Sequence, residues 1–191
     1  MSAADMKSFF PVVGIGASAG GLRALEGFFA PMPANPGMAF VVITHLAPDR
    51  KSLLVEILAR HAALPVEVAV DGQMVEADKV YVMPPNATLT IGEGRLRLAV
   101  VPHDRHERAP IDIFFSSLAR SCGEFAVGVV LSGSGADGVL GVKAIKENGG
   151  LTMAQTLDGS GPGFAGMPDS AIATGLIDFA APVESMAARL V

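Results

Sequence analysis

The sequence predicts an α/β fold: a doubly wound, mainly parallel sheet flanked by helices, with an inserted β-hairpin region. Three observations carry that prediction. Short, continuously apolar runs alternate with longer stretches at helical spacing, as expected of strands buried on both faces. Two glycine-rich turns, "GIGASAGG" and "LSGSGADG", each join an apolar run to a helix-like stretch. Half of the 191 residues are hydrophobic and only 17% are charged, which suits one domain with a sizeable core.

The elements follow in order. "PVVGIG" (11–16) reads as the first strand and "GGLRALEGFFAPM" as the helix after it. "MAFVVITH" (38–45) is the second strand, ended by Pro48. "RKSLLVEILARHA" (50–62) places Leu53, Leu54, Ile57 and Leu58 on one helical face. Residues 65–101 differ in character. They are rich in Val and Thr, with turns at Asp71-Gly72, Pro84-Pro85-Asn86 and Glu93-Gly94, and read as short β segments and a hairpin inserted into the frame. "IDIFFSSLARSCG" is a helix, "FAVGVVLSG" (125–133) the third long strand, and "ADGVLGVKAIKENGG" a helix closed by Gly149 and Gly150. "LTMAQ" and "LIDFAAP" are shorter strands. No repeat, low-complexity tract or linker divides the chain, so residues 1–191 are expected to form a single domain.

Composition narrows the function classes. The formal net charge of -5, from 14 basic and 19 acidic residues, counts against nucleic-acid binding, which needs a basic face. The lone cysteine, Cys122, permits no intrachain disulfide and fits a cytoplasmic location. The N-terminus lacks a secretory pattern, and no apolar run approaches the roughly 20 residues that span a bilayer, so membrane insertion is not expected.

The first glycine turn has two chemical readings. As G-x-G-x-x-A (Gly14, Gly16, Ala19) it is a dinucleotide-binding turn; as G-x-S-x-G (Gly16, Ser18, Gly20) it is a nucleophile elbow. A dinucleotide site needs an acid at the end of the second strand to hold the ribose, and that strand ends in Thr44 and His45. The hydrolase reading needs a base and a group that orients it. His45 is the candidate base, and Asp137 is delivered by the turn after the third strand. All three residues follow strands, and such positions converge on the crevice at the carboxyl edge of a parallel sheet. The N–H of Ala19 is then an oxyanion donor, with a second from Ser134. No metal or cofactor is required.

Blander roles remain for the same residues. Ser18 and Asp137 are each candidate N-caps of the helices that follow them, and His45 a hydrogen-bonded strand end. His103 and His106 read as a solvated loop rather than a metal pair. His61 reads as a helix-end residue and Cys122 as core or helix-end packing.

In order, "GIGASAGGL", "THLAPD", "PIDIFFSSLA", "GVVLSGSGADG" and "GMPDSAIATG" resemble the catalytic domain of chemotaxis protein-glutamate methylesterases of the CheB type, over roughly residues 11–190. The first stretch is closest in wording to the esterase domain of CheB/CheR hybrid proteins. The resemblance implies a serine hydrolase that removes methyl esters from chemoreceptor glutamates, and can extend to glutamine deamidation. It implies Ser18 as nucleophile, His45 as base and Asp137 as orienting acid, with Thr44, Gly133, Met167 and Pro168 lining the cleft. Methylated chemoreceptors, and methyltransferase or sensor domains of a hybrid protein, are the implied partners. The receiver domain of the usual stand-alone enzyme has no counterpart in these residues. The sequence departs from the family wording at three places: Ala19 where Thr is frequent, Thr44 where Gln is frequent, and Ser134 where Met is frequent. Those departures motivate a second expectation, a silent module of the same fold that acts by binding a methyltransferase or sensor partner.

Overall fold

The computed structural model describes residues 10–45, 53–100, 109–157 and 163–191. Strand β1 (Val12–Ala17) leads to helix α1 (Gly21–Phe29), β2 (Ala39–Thr44) and α2 (Leu53–His61). Then come β3 (Val66–Val68), β4 (Val80–Val82), β5 (Ala87–Gly92), β6 (Arg95–Val100) and α3 (Pro110–Cys122). After one 3-10 turn follow β7 (Ala126–Val130), α4 (Val139–Glu147), β8 (Leu151–Gln155), α5 (Gly166–Ala173), β9 (Phe179–Ala181) and α6 (Val183–Leu190).

Seven strands form one sheet in the order β3-β4-β2-β1-β7-β8-β9, with every neighbouring pair parallel. The 65–101 region therefore divides. β3 and β4 extend the main sheet, and only β5 and β6 make the antiparallel hairpin. β3 and β4 have three residues each, too short for the alternation that would mark them as sheet members in sequence.

Strand alternation sorts the core into two layers. Val13 and Ile15 of β1 pack with Leu25, Phe28, Phe29 and Met186 under α1, α2 and α6. Phe28, Phe29 and Phe40 meet edge to face there, with ring centroids 5.1–6.2 Å apart. The opposite face gathers Phe114, Phe115 and Leu118 of α3 with Val142 and Ile145 of α4, and the hairpin covers α3 through Leu89, Ile91 and Leu96. The hairpin is pinned by the Ile91 N–H, which donates to Ser117 Oγ (3.0 Å).

The two glycines of the first turn have their reason here. A Cβ at Gly16 would lie 2.6 Å from Ile111 Cγ2, and one at Gly14 3.0 Å from Phe115 Cε1. Both glycines let α3 lie directly on β1. From β1 the sheet extends through β2 and β4 to β3 at one edge, and from β7 through β8 to β9 at the other. The carboxyl ends of β1 and β7 therefore flank the topological switch point, where open α/β sheets place their ligands.

Candidate active site

The site is built at that switch point. β1 ends at Ala17, and the Ser18 N–H donates to the carbonyl of Ser132 beyond β7 (2.9 Å). The Gly21 N–H donates back to the Ser18 carbonyl (2.8 Å), which closes the elbow. The N-cap of α1 is Gly20, at φ 72°, which has no side chain to cap that helix, and among the described residues Ser18 Oγ makes no hydrogen bond to it. Ser18 is thus not spent as a cap.

Ser132, buried to 1% exposure, fastens three segments together. Its hydroxyl donates to the Ala19 carbonyl (2.8 Å) and accepts from the Phe164 N–H (2.9 Å), while its own N–H donates to Gln155 Oε1 (2.9 Å). The next residue must be glycine: a Cβ at Gly133 would overlap Met167 Sδ and lie 2.9 Å from Ser18 Cβ. The loop after β7 is thereby pressed against the serine.

His45 follows β2, and its Nε2 lies 2.7 Å from Asp137 Oδ2. Both Asp137 oxygens also accept backbone N–H groups, from Asp112 at Oδ1 (2.9 Å) and Ile111 at Oδ2 (3.0 Å). A carboxylate only accepts, so the bond to Asp137 assigns the ring donor to Nε2 and leaves Nδ1 as the ring's acceptor. The Asp137 side chain is 10% exposed and that of His45 36%. Asp137 does act as a cap, but of α3 rather than of α4, whose N-cap is Gly138.

Ser18, Ala19, Thr44 and His45 share a cleft of about 710 Å³. Its far wall is apolar, made by Leu22 of α1, Leu53 and Ile57 of α2, and Phe164. Thr44 is 7% exposed, and its Oγ1 has no hydrogen-bond partner among the described residues. The N–H groups of Ala19 and Ser134 make no hydrogen bond to another described residue. Gly133, expected to line the cleft, packs against Ser18 and is not among the residues that line it. Met167 (1% exposed) and Pro168 are buried as the first turn of α5 packs against the sheet, so the cleft wall contributed by this segment is Phe164.

Outside the cleft, the His61 ring N–H meets the Ile57 carbonyl at 2.9 Å, a helix-end contact. Cys122 is buried at the end of α3, and burial pushes its thiol up to about 11. His103 and His106 lie outside the described residues. Among the described residues no group of His, Cys, Asp and Glu could hold a metal ion, and no helix is long and apolar enough to cross a membrane. The partners that sequence reasoning missed are Asp112, Ser132 and Gln155. The only sequence signal for Asp112 was an acid in the first turn of a helix, which reads as an ordinary dipole partner.

The chain's similarity to known proteins runs over the same elements. A family model described as CheB methylesterase matches residues 13–190. An uncharacterized 104.1 kDa protein of Rhodobacter capsulatus is 46% identical over 132 residues, 69% of this chain and 13% of that protein. Protein-glutamate methylesterase/protein-glutamine glutaminase 1 of Cupriavidus pinatubonensis is 35% identical over 181 residues, 94% of this chain and 52% of the relative. The chain thus spans about half the length of the curated methylesterase relatives it matches. The crystal structure of the Thermotoga maritima CheB methylesterase catalytic domain superposes with a TM-score of 0.84 at 28% identity, covering 95% of this chain and 97% of that one. A match that begins inside β1 and ends in α6, with a solved neighbour of nearly the same span, means that this chain belongs to the CheB methylesterase family.

Proposed function

We propose that this chain is a serine hydrolase that removes methyl esters from glutamates of chemoreceptors, with Ser18, His45 and Asp137 as its reacting set. The observation that carries the reading is the 2.7 Å His45–Asp137 bond at the mouth of the cleft that holds Ser18. Ser18 Oγ attacks the ester carbonyl carbon, and His45 Nδ1 takes the hydroxyl proton. Asp137 holds the ring in that tautomer and stabilises the imidazolium. The N–H groups of Ala19 and Ser134 receive the oxyanion, a contribution of about 3–4 kcal/mol per donor in hydrolases of this type. His45 then returns its proton to the departing methoxide, which leaves as methanol. Water, deprotonated by His45, attacks the acyl-enzyme and releases glutamate and Ser18.

A glutamine amide reaches the same acyl-enzyme with ammonia as the leaving group, in keeping with the double name of the Cupriavidus relative. No step calls for a metal or cofactor. The substitutions at Ala19 and Ser134 leave backbone donors in place, so they do not favour a silent module. Cytoplasmic action on the receptor, as a single catalytic domain working beside methyltransferase or sensor domains, completes the reading. The Rhodobacter match, a small part of a 104.1 kDa protein, supports use of such a domain within large proteins.

A fluorophosphonate probe tests the chemistry without knowledge of the receptor. A covalent adduct mapped by mass spectrometry to Ser18 is the expected outcome. Absence of any adduct, with the protein folded, overturns the reading.

A further inference from the structure

We propose that Asp112 is a positioning residue of this site: it bridges the N-terminal turns of α3 and α4 and thereby sets Asp137 and, through it, His45. The inference rests on the reading of Ser18, His45 and Asp137 given above.

Neither helix is capped by its own N-cap residue, Ala109 for α3 and Gly138 for α4. Each is capped by an acid from the other's segment. Asp137 accepts the N–H groups of Ile111 and Asp112 at the start of α3. Asp112 returns the bond: its Oδ1 accepts the N–H groups of Gly138 (3.0 Å) and Gly141 (2.8 Å) at the start of α4. The Gly138 N–H belongs to the peptide unit that follows Asp137. Holding it fixes the Asp137 backbone torsion, and so the direction in which the carboxylate leaves the chain. Four hydrogen bonds therefore lock residues 111–112 to residues 137–141, and the locked carboxylate is the one 2.7 Å from the His45 ring.

The bridge places two carboxylates side by side. Burial raises the Asp112 carboxyl above its ordinary value; the Gly141 N–H opposes that shift, and the neighbouring Asp137 charge adds to it. Asp112→Asn keeps an oxygen for both N–H groups and removes a disfavoured charge, so it is the conservative variant. Asp112→Ala removes both bonds. Small misplacements of a reacting group cost orders of magnitude in rate, which a positional lock prevents.

The test is the rate of Ser18 phosphonylation by a fluorophosphonate, measured well below each variant's melting temperature. Asp112→Asn is expected within about threefold of the native rate, and Asp112→Ala slower by about tenfold or more. Because Asp112 acts through Asp137, adding Asp112→Ala to an Asp137→Ala background is expected to change the rate by less than about twofold. Asp112→Glu, whose longer side chain displaces the carboxylate from both N–H groups, serves in place of the alanine variant if that one does not fold. A native rate in the truncated or lengthened variant overturns the proposal. So does an asparagine variant as slow as the alanine one, or a full additional loss in the Asp137→Ala background. A native protein that does not react at all overturns the catalytic reading instead, which separates the two failures.

Discussion

Asp137 carries two loads that a pair of substitutions separates. Its carboxylate accepts the N–H groups of Ile111 and Asp112, which caps α3, and it accepts the His45 ring. Asp137→Ala removes all three bonds. Loss of a helix cap costs about 0.5–2 kcal/mol, and each kcal/mol moves the Tm of a domain of this size by about 2–4 °C. The alanine variant is therefore expected to melt roughly 1–8 °C lower. Asp137→Asn retains an oxygen for the Asp112 N–H and loses the acceptor of the Ile111 N–H, so its Tm falls by less than that of the alanine variant. Its amide can present an N–H to His45, which forces the ring into the wrong tautomer. In serine hydrolases that error costs about 10⁴ in kcat. Methanol release from a methylated receptor and calorimetric melting report the two effects independently. An asparagine variant within about tenfold of native kcat would refute Asp137 as the orienting acid, and an alanine variant with unchanged Tm would refute its capping of α3.

Three further outcomes follow from the geometry. Ser132→Ala orphans the Ala19 carbonyl and the Phe164 N–H, so a loss of about 1–3 kcal/mol by denaturant titration is expected, together with a lower kcat as the Ser18 elbow loosens. The buried Cys122 thiol, raised to about 11, carries roughly two orders of magnitude less thiolate at pH 8 than a free cysteine; iodoacetamide should modify it slowly in the native protein and rapidly after denaturation. Burial opposes ionisation of Asp178, but hydrogen bonds from Lys146 and Thr152 outweigh it and depress the carboxyl. Its contribution to stability is then present above the unfolded-state pKa of about 4 and lost as pH falls through the lower folded value, so the Tm gap between native and Asp178→Asn should close in acid.

The elements legible in the sequence were those with long, unbroken patterns. β1, β2 and β7 are nearly continuous apolar runs, and α3 shows its buried face as Ile111, Phe114, Phe115 and Leu118. α5 was hidden because Gly166 and Pro168 in its first turn read as loop, and α6 because eight residues at the chain end give little periodicity. The addresses of Ser18, His45 and Asp137 were readable because each follows a strand, and topology alone brings such positions together. The partners of Asp137 were not. A carboxylate before a helix reads as that helix's cap, and nothing local indicates that Asp112 and Asp137 exchange helices across 25 residues of chain. Likewise, Gly14 and Gly16 look like a phosphate turn until α3 is seen to lie on them.

The measurement that tests the central claim most directly is methanol release from methylated chemoreceptor by the native protein and by Ser18→Ala. Among the described residues Ser18 Oγ caps no helix, so the variant should melt with the native protein, and loss of activity then reports chemistry. Release by the native protein and none by the variant is the predicted result. Equal release by both would contradict a serine mechanism at this site, and no release by either would contradict the proposed substrate.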